Sequence, residues 1–199
     1  SITAIYMGNV KSDHFYSKVR HFDSSLDASL YAEDVNKSVY DTLIKSVNAN
    51  LPVFHKFFDL KKKVLGQKSI AVYDMRVGTS KLEKEYSYDE AYNIVLDATK
   101  VLGEDYNEIM KKAKQERWLD VYANEGKDTG AFSWGYYGKH PVVLLNYEST
   151  LTDVFTIAHE MGHSMHTYYS NLNQPSTKAG YEIFVAEVAS TVNEMLLLK

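Results

Sequence analysis

The chain has 199 residues, 45% of them apolar and 24% charged, with a formal net charge of -4 from 22 basic and 26 acidic side chains. That balance suits a large globular lobe and lacks the basic stripe of a nucleic-acid binder, the longest basic run being Lys61, Lys62 and Lys63. With no cysteine, disulfides, thiolate metal sites and a cysteine nucleophile are excluded, and no apolar run approaches the roughly 18 residues of a membrane span.

Neither nucleic acid nor membrane is therefore expected as a partner, and a start without a basic-then-apolar leader favours a cytoplasmic protein. The chain begins at Ser1 and stops within an apolar helical pattern at Leu196, Leu197 and Leu198, with no glycine or proline stop signal. It reads as a fragment, and the run of leucines predicts self-association through the last helix.

Three prolines and ten glycines leave few breakers, which favours long helices. Helical spacing of Val35, Val39, Leu43 and Val47, then of Val53, Phe57, Leu60 and Val64, predicts helix from about Ala32 to Gly66. Pro52 is expected to break it into two. Lys68 to Val77, with Ile70 and Val72, predicts a strand. Tyr88–Leu102 and Asp105–Gln115 predict two helices either side of Gly103. Trp118–Tyr122, Gly130–Tyr137 and Pro141–Tyr147 are short, aromatic and β-branched, and predict a small sheet of three or four strands. Helix resumes from about Leu151 to Ser170 and again from Tyr181 onward. The expected fold is mainly α with a small β-sheet, arranged as a helical region 32–115, a sheet 116–148 and two helices within 149–199.

The chemistry concentrates in Thr156–His166, T-I-A-H-E-M-G-H-S-M-H. His159 and His163 are four apart, so on a helix both imidazoles reach one ion, while Glu160 lies about 100° further round, beside the metal without ligating it. Val154, Phe155, Ile157, Ala158, Met161 and Met165 make the flanks apolar, where polar groups need partners. A catalytic zinc needs a third protein ligand. The pattern HExxHxxGxxH fails here, because His166 and Tyr169 stand where it needs Gly and His. A carboxylate on the following helix remains, and Glu187 in F-V-A-E-V-A-S-T is the best placed. Glu182 sits near that helix's N-terminus, where the dipole alone favours an acid. Glu194 shares the face of Glu187 and Asp153 precedes the motif, so either could support a ligand. His166 shares the histidine face and fits either a packed core histidine or a substrate contact.

HEMGHSMH followed by FVAEVAST resembles the oligoendopeptidase F branch of the thimet-oligopeptidase family. W-L-D-V-Y (118–122), G-A-F-S (130–133), H-P-V-V-L-L-N-Y (140–147) and the stretch 51–66 are similar to that branch as well. The resemblance implies a zincin-like core of the Glu-zincin type within a larger, mainly helical enzyme, with 1–199 a partial catalytic domain. It implies one zinc ion on His159, His163 and Glu187, with Glu160 as general base, and short peptides as substrates cut at internal bonds. Further contacts, a His and several Tyr, are implied beyond the last helix. The strand 141–147 could pair with an extended peptide, which makes Leu145 and Asn146, with His166, candidate substrate contacts. A rival expectation is a zinc-binding or interaction module that keeps the motif without complete catalysis.

Overall fold

The computed structural model describes residues 1–79 and 84–199. The chain divides into two compact units, Ser1–Leu82 and Glu83–Lys199.

The first unit is helical: α1 (Ile2–Val19), α2 (Ser25–Ala32) and α3 (Lys37–Val64). Serines start the first two. Ser1 accepts from the Ala4 N–H at 3.3 Å, and Ser24 from the Asp27 N–H at 3.0 Å, meeting donors that a helix start leaves free. Pro52 does not divide α3, which is one helix of 28 residues. Proline removes a single intrahelical hydrogen bond and its φ is helical, so a long helix can carry it. The expected strand Lys68–Val77 is instead a 3-10 turn, Val72–Arg76. Local side chains close it: the Asp74 carboxylate accepts the Ala71 N–H at 2.8 Å, and the buried Lys61 donates to the Met75 carbonyl at 2.6 Å. The expected helical region 32–115 thus contains a non-helical stretch, and its residues 80–83 lie outside the described ones.

The second unit runs α4 (Tyr88–Thr99), α5 (Glu104–Gln115), β1 (Leu119–Asp120), β2 (Phe132–Trp134), β3 (Val142–Leu144), α6 (Leu151–Asn173) and α7 (Ile183–Leu197). The sheet order is β1-β3-β2, with β1 parallel and β2 antiparallel to β3. This corrects the expectation that 141–147 pairs with a peptide: β3 is the middle strand, its Val143 N–H already bonded to the Trp118 carbonyl at 2.8 Å. The edges of the sheet are β1 and β2.

Tyr92, Val95, Met110, Trp118, Val143, Leu145, Ile157, Met161 and Met165 are almost wholly buried and form one core, each contributing about 1.5–3 kcal/mol on burial. α6 lies in its middle, against the sheet, α4, α5 and, most extensively, α7. Thr150 and Asp153 form a reciprocal capping box at its start, so Asp153 caps a helix and does not support a metal ligand. The C-terminal leucines differ from one another: Leu197 packs on the core, whereas Leu198 is exposed. No described helix is long and apolar enough to cross a membrane.

Candidate metal centre

α6 fixes the first two donors. His159 and His163 lie on one face, and their Nε2 atoms are 3.1 Å apart. The second helix brings the third: Glu187 Oε2 is 3.4 Å from His159 Nε2 and 3.5 Å from His163 Nε2. The three side chains are the described residues whose ligand atoms could hold a metal ion together.

The chemistry of the donors decides what this triangle can accept. Glu194 Oε1 lies 2.5 Å from His159 Nδ1, so that nitrogen carries the proton and donates it to the carboxylate. The charge of Glu187 and, in smaller measure, the Ala186 backbone favour the protonated form of His163. Burial, the larger influence, pushes the His163 pKa down and keeps the ring neutral. His159 Nε2 therefore presents a lone pair beside His163 Nε2 and a carboxylate oxygen. The Ser190 hydroxyl donates to Glu187 Oε2 at 2.8 Å and steadies it. Three potential ligand atoms converge here, and their spacing matches the roughly 3.3–3.4 Å that donor atoms show around a tetrahedral zinc.

Glu160 follows His159 on the helix yet turns inward. It is only 6% exposed, and its Oε2 is buried without a side-chain or backbone partner. Burial pushes its pKa up, His159 opposes this, Glu187 reinforces it, and the Ser133 backbone of β2 pulls it back in smaller measure. The group is thus a buried carboxyl of raised proton affinity, next to His159 in sequence.

A family model described as Peptidase family M3 matches residues 2–199. The chain belongs to peptidase family M3. Among curated members, it is 42% identical to oligopeptidase PepF of Bacillus subtilis over 191 residues, which is 96% of this chain and 28% of that protein. It is 41% identical to group B oligopeptidase PepB of Streptococcus agalactiae, over 95% of this chain and 31% of that one. A solved structure from Chlamydophila abortus superposes with a TM-score of 0.81 at 42% identity, covering 96% of this chain and 32% of the other. Oligoendopeptidase-F from Enterococcus faecium does so with a TM-score of 0.57 at 29% identity, over 94% and 25%. This M3 chain therefore spans about a third or less of the length of the relatives it matches.

Within the M3 chain, the remaining expected site residues fall elsewhere. Leu145 is buried in the core, so its side chain is not open to a substrate. Asn146 donates to the Asp128 and Gly130 carbonyls at 2.9 and 2.8 Å, pinning the loop ahead of β2. It also lines a pocket of about 510 Å³ with Ala131 and Thr156, the latter one turn before Glu160 on α6. His166 stands apart from the triangle, stacked on Tyr181 with ring centroids 3.7 Å apart, and lines an apolar pocket of about 490 Å³. Glu182 is the residue before α7 and makes no capping bond from its side chain. Ser190 was not anticipated, although its place three residues after Glu187 puts it on the same helix face. The influences of Ser133 on Glu160 and of Ala186 on His163 were not legible, because they act through the backbone.

Proposed function

We propose that this chain carries the metal centre of a zinc-dependent endopeptidase that cuts internal bonds of short peptides, with His159, His163 and Glu187 as the ligands. The single observation behind the reading is the convergence of two imidazole Nε2 atoms and one carboxylate oxygen at 3.1–3.5 Å. Zinc held there would supply Lewis-acid chemistry, polarising a carbonyl and easing the ionisation of water near neutral pH. Two histidines, one carboxylate and room for a further donor suit that ion. The names of the M3 relatives support the peptide substrate.

The protein's own part in the reaction is proton transfer and orientation. Glu160 takes a proton from the attacking water as its oxygen bonds to the scissile carbonyl carbon. It then delivers that proton to the departing amine nitrogen as the C–N bond breaks. Its burial keeps the protonated form within reach. Glu194 holds the tautomer of His159, so that its Nε2 lone pair stays aimed at the shared point.

The test is metal analysis of the purified chain beside His159→Ala and Glu187→Ala, followed by peptide turnover. One equivalent of zinc in the parent, and its loss in both variants, is expected. Equal zinc in all three proteins would overturn the ligand assignment.

A further inference from the structure

Two of the proposed ligands come from α6 and one from α7, so the metal triangle exists only while those helices cross at one height and in one register. Two residues that are not ligands control that crossing. Gly162, the residue before His163, faces α7. A Cβ built there would stand 2.6 Å from the Ser190 Cα and 2.7 Å from the Ala189 carbonyl oxygen. Both are backbone atoms, and no rotamer change relieves the overlap. Restoring ordinary contact, from 3.4 Å upward, would part the helices by roughly 0.8 Å.

Asn193 acts on the other coordinate. It lies on α7 between Glu187 and Glu194 in sequence, next to the latter, and is 1% exposed. Its amide donates to the Ala158 carbonyl at 3.1 Å, the backbone position immediately before His159. Its carbonyl oxygen accepts from the Tyr106 hydroxyl of α5 at 3.1 Å. A buried amide satisfied at both ends tolerates no slip of one helix along another, since a slip leaves polar atoms buried and unpaired.

The consequence for the triangle is unequal. The 3.1 Å edge lies within α6 and does not sense α7. The edges of 3.4 and 3.5 Å both cross the interface. Opened by the shift that a Cβ at Gly162 demands, they approach about 4.2 Å, which bonds of roughly 2.1 Å span only in a near-linear arrangement that a tetrahedral ion does not adopt.

We propose that Gly162 and Asn193 are positioning residues of the metal centre: Gly162 sets the separation of α6 and α7, Asn193 sets their register, and together they determine metal affinity. This rests on the reading of His159, His163 and Glu187 as ligands. The purified chain is titrated with Co²⁺ against a chromophoric chelator, reading the Kd and the visible bands that report four-coordinate cobalt. The variants are Gly162→Ala, Asn193→Leu, the milder Tyr106→Phe, and Val143→Ala in β3 as a control that loosens the core away from α7. Gly162→Ala and Asn193→Leu should raise the Kd about 10–100-fold and weaken the bands, at a temperature where circular dichroism reports full helicity. Tyr106→Phe should raise the Kd several-fold, whereas Val143→Ala should lower the Tm and leave the Kd and the spectrum unchanged. Wild-type affinity and bands in Gly162→Ala, or in Tyr106→Phe should Asn193→Leu not fold, would overturn the inference. So would a loss of affinity in Val143→Ala matching its loss of Tm, since affinity would then follow stability alone. If the parent chain takes up cobalt no better than His159→Ala, the metal reading itself fails, a distinct result.

Discussion

Glu194 is the sharpest place to perturb the centre without touching a proposed ligand. Its Oε1 meets His159 Nδ1 at 2.5 Å, a short, charge-assisted contact. Removing it has two effects. The imidazole loses the acceptor that keeps the proton on Nδ1, so part of the population shifts to the tautomer whose Nε2 carries hydrogen and cannot bind a cation. The ring is also freed to turn away from the Glu187 oxygen. Hydrogen bonds to charged groups contribute about 1.5–3 kcal/mol. The two side chains are 29% and 36% exposed, so solvent screening places the contact in the lower part of that range. About 1.5–2 kcal/mol corresponds to roughly a 10–30-fold loss of affinity, within the span usual for carboxylates behind histidine ligands. Glu194→Ala should show that loss in zinc titrations against a chromophoric chelator. Glu194→Gln, which keeps an acceptor oxygen but no charge, should show only part of it. An alanine variant that binds zinc within twofold of the parent would refute the argument that this carboxylate holds the ligand in place.

Three further outcomes follow from the same geometry. Glu160→Gln removes the proposed proton carrier but no proposed ligand, so zinc content should stay near the parent's while peptide turnover falls by about 10² or more; near-normal turnover would dismiss the general-base role. His163→Ala deletes one corner of the triangle, so stoichiometric zinc should be lost even in excess metal, as inductively coupled plasma analysis would show; retained zinc would place the ion elsewhere. Chelation by EDTA should lower the Tm of the zinc-loaded chain, because a ligand that binds only the folded state adds about 2.7 kcal/mol at 100 times its Kd; an unchanged Tm in differential scanning calorimetry would mean that no metal is bound to the native fold.

How far the sequence reaches depends on the range over which each feature is encoded. The His159, Glu160, His163 constellation is local to one helix turn, and Glu187 stands out as a carboxylate in an apolar helix, so both were legible from spacing and type. The helices of the second unit were legible for a similar reason: Ser87 and Thr150 start α4 and α6, and apolar spacing carries each onward. The strand expected over Lys68–Val77 was not borne out because β-formers there are outweighed by Asp74 and Lys61, whose bonds to the backbone close a turn. The expectation for Pro141–Tyr147 had the right secondary structure but the wrong neighbour relation, since strand order is a matter of topology that no local pattern encodes. α1 and α2 went unread, although Ser24 and Asp27 carry an N-terminal signal three residues apart. Contacts that act through the backbone, Ser133 on Glu160 and Ala186 on His163, leave no residue-type signature at all.

These ranges separate what the centre can vary from what it cannot. The spacing of His159, Glu160 and His163 is dictated by helical pitch, and no packing change within α6 alters it while the helix persists. Glu187 has no such guarantee, because its place relative to the histidines is the sum of a helix crossing, a buried amide and a glycine with no room for a side chain. Substitutions at the donors of α6 should therefore act as a step, removing metal outright. Substitutions along the α6–α7 interface should act as a gradient, with affinity falling as the displacement of Glu187 grows. Glu160 belongs to a third category. It is buried, and its proton affinity is set first by that burial, then by the charges of His159 and Glu187, and in smaller measure by the backbone of β2. Its readiness to accept a proton should then respond to changes in β2 that leave metal affinity untouched. Metal affinity and proton affinity thus depend on different packing neighbours of the same helix, α7 for the one and β2 in part for the other, and variants of the two should separate one property from the other.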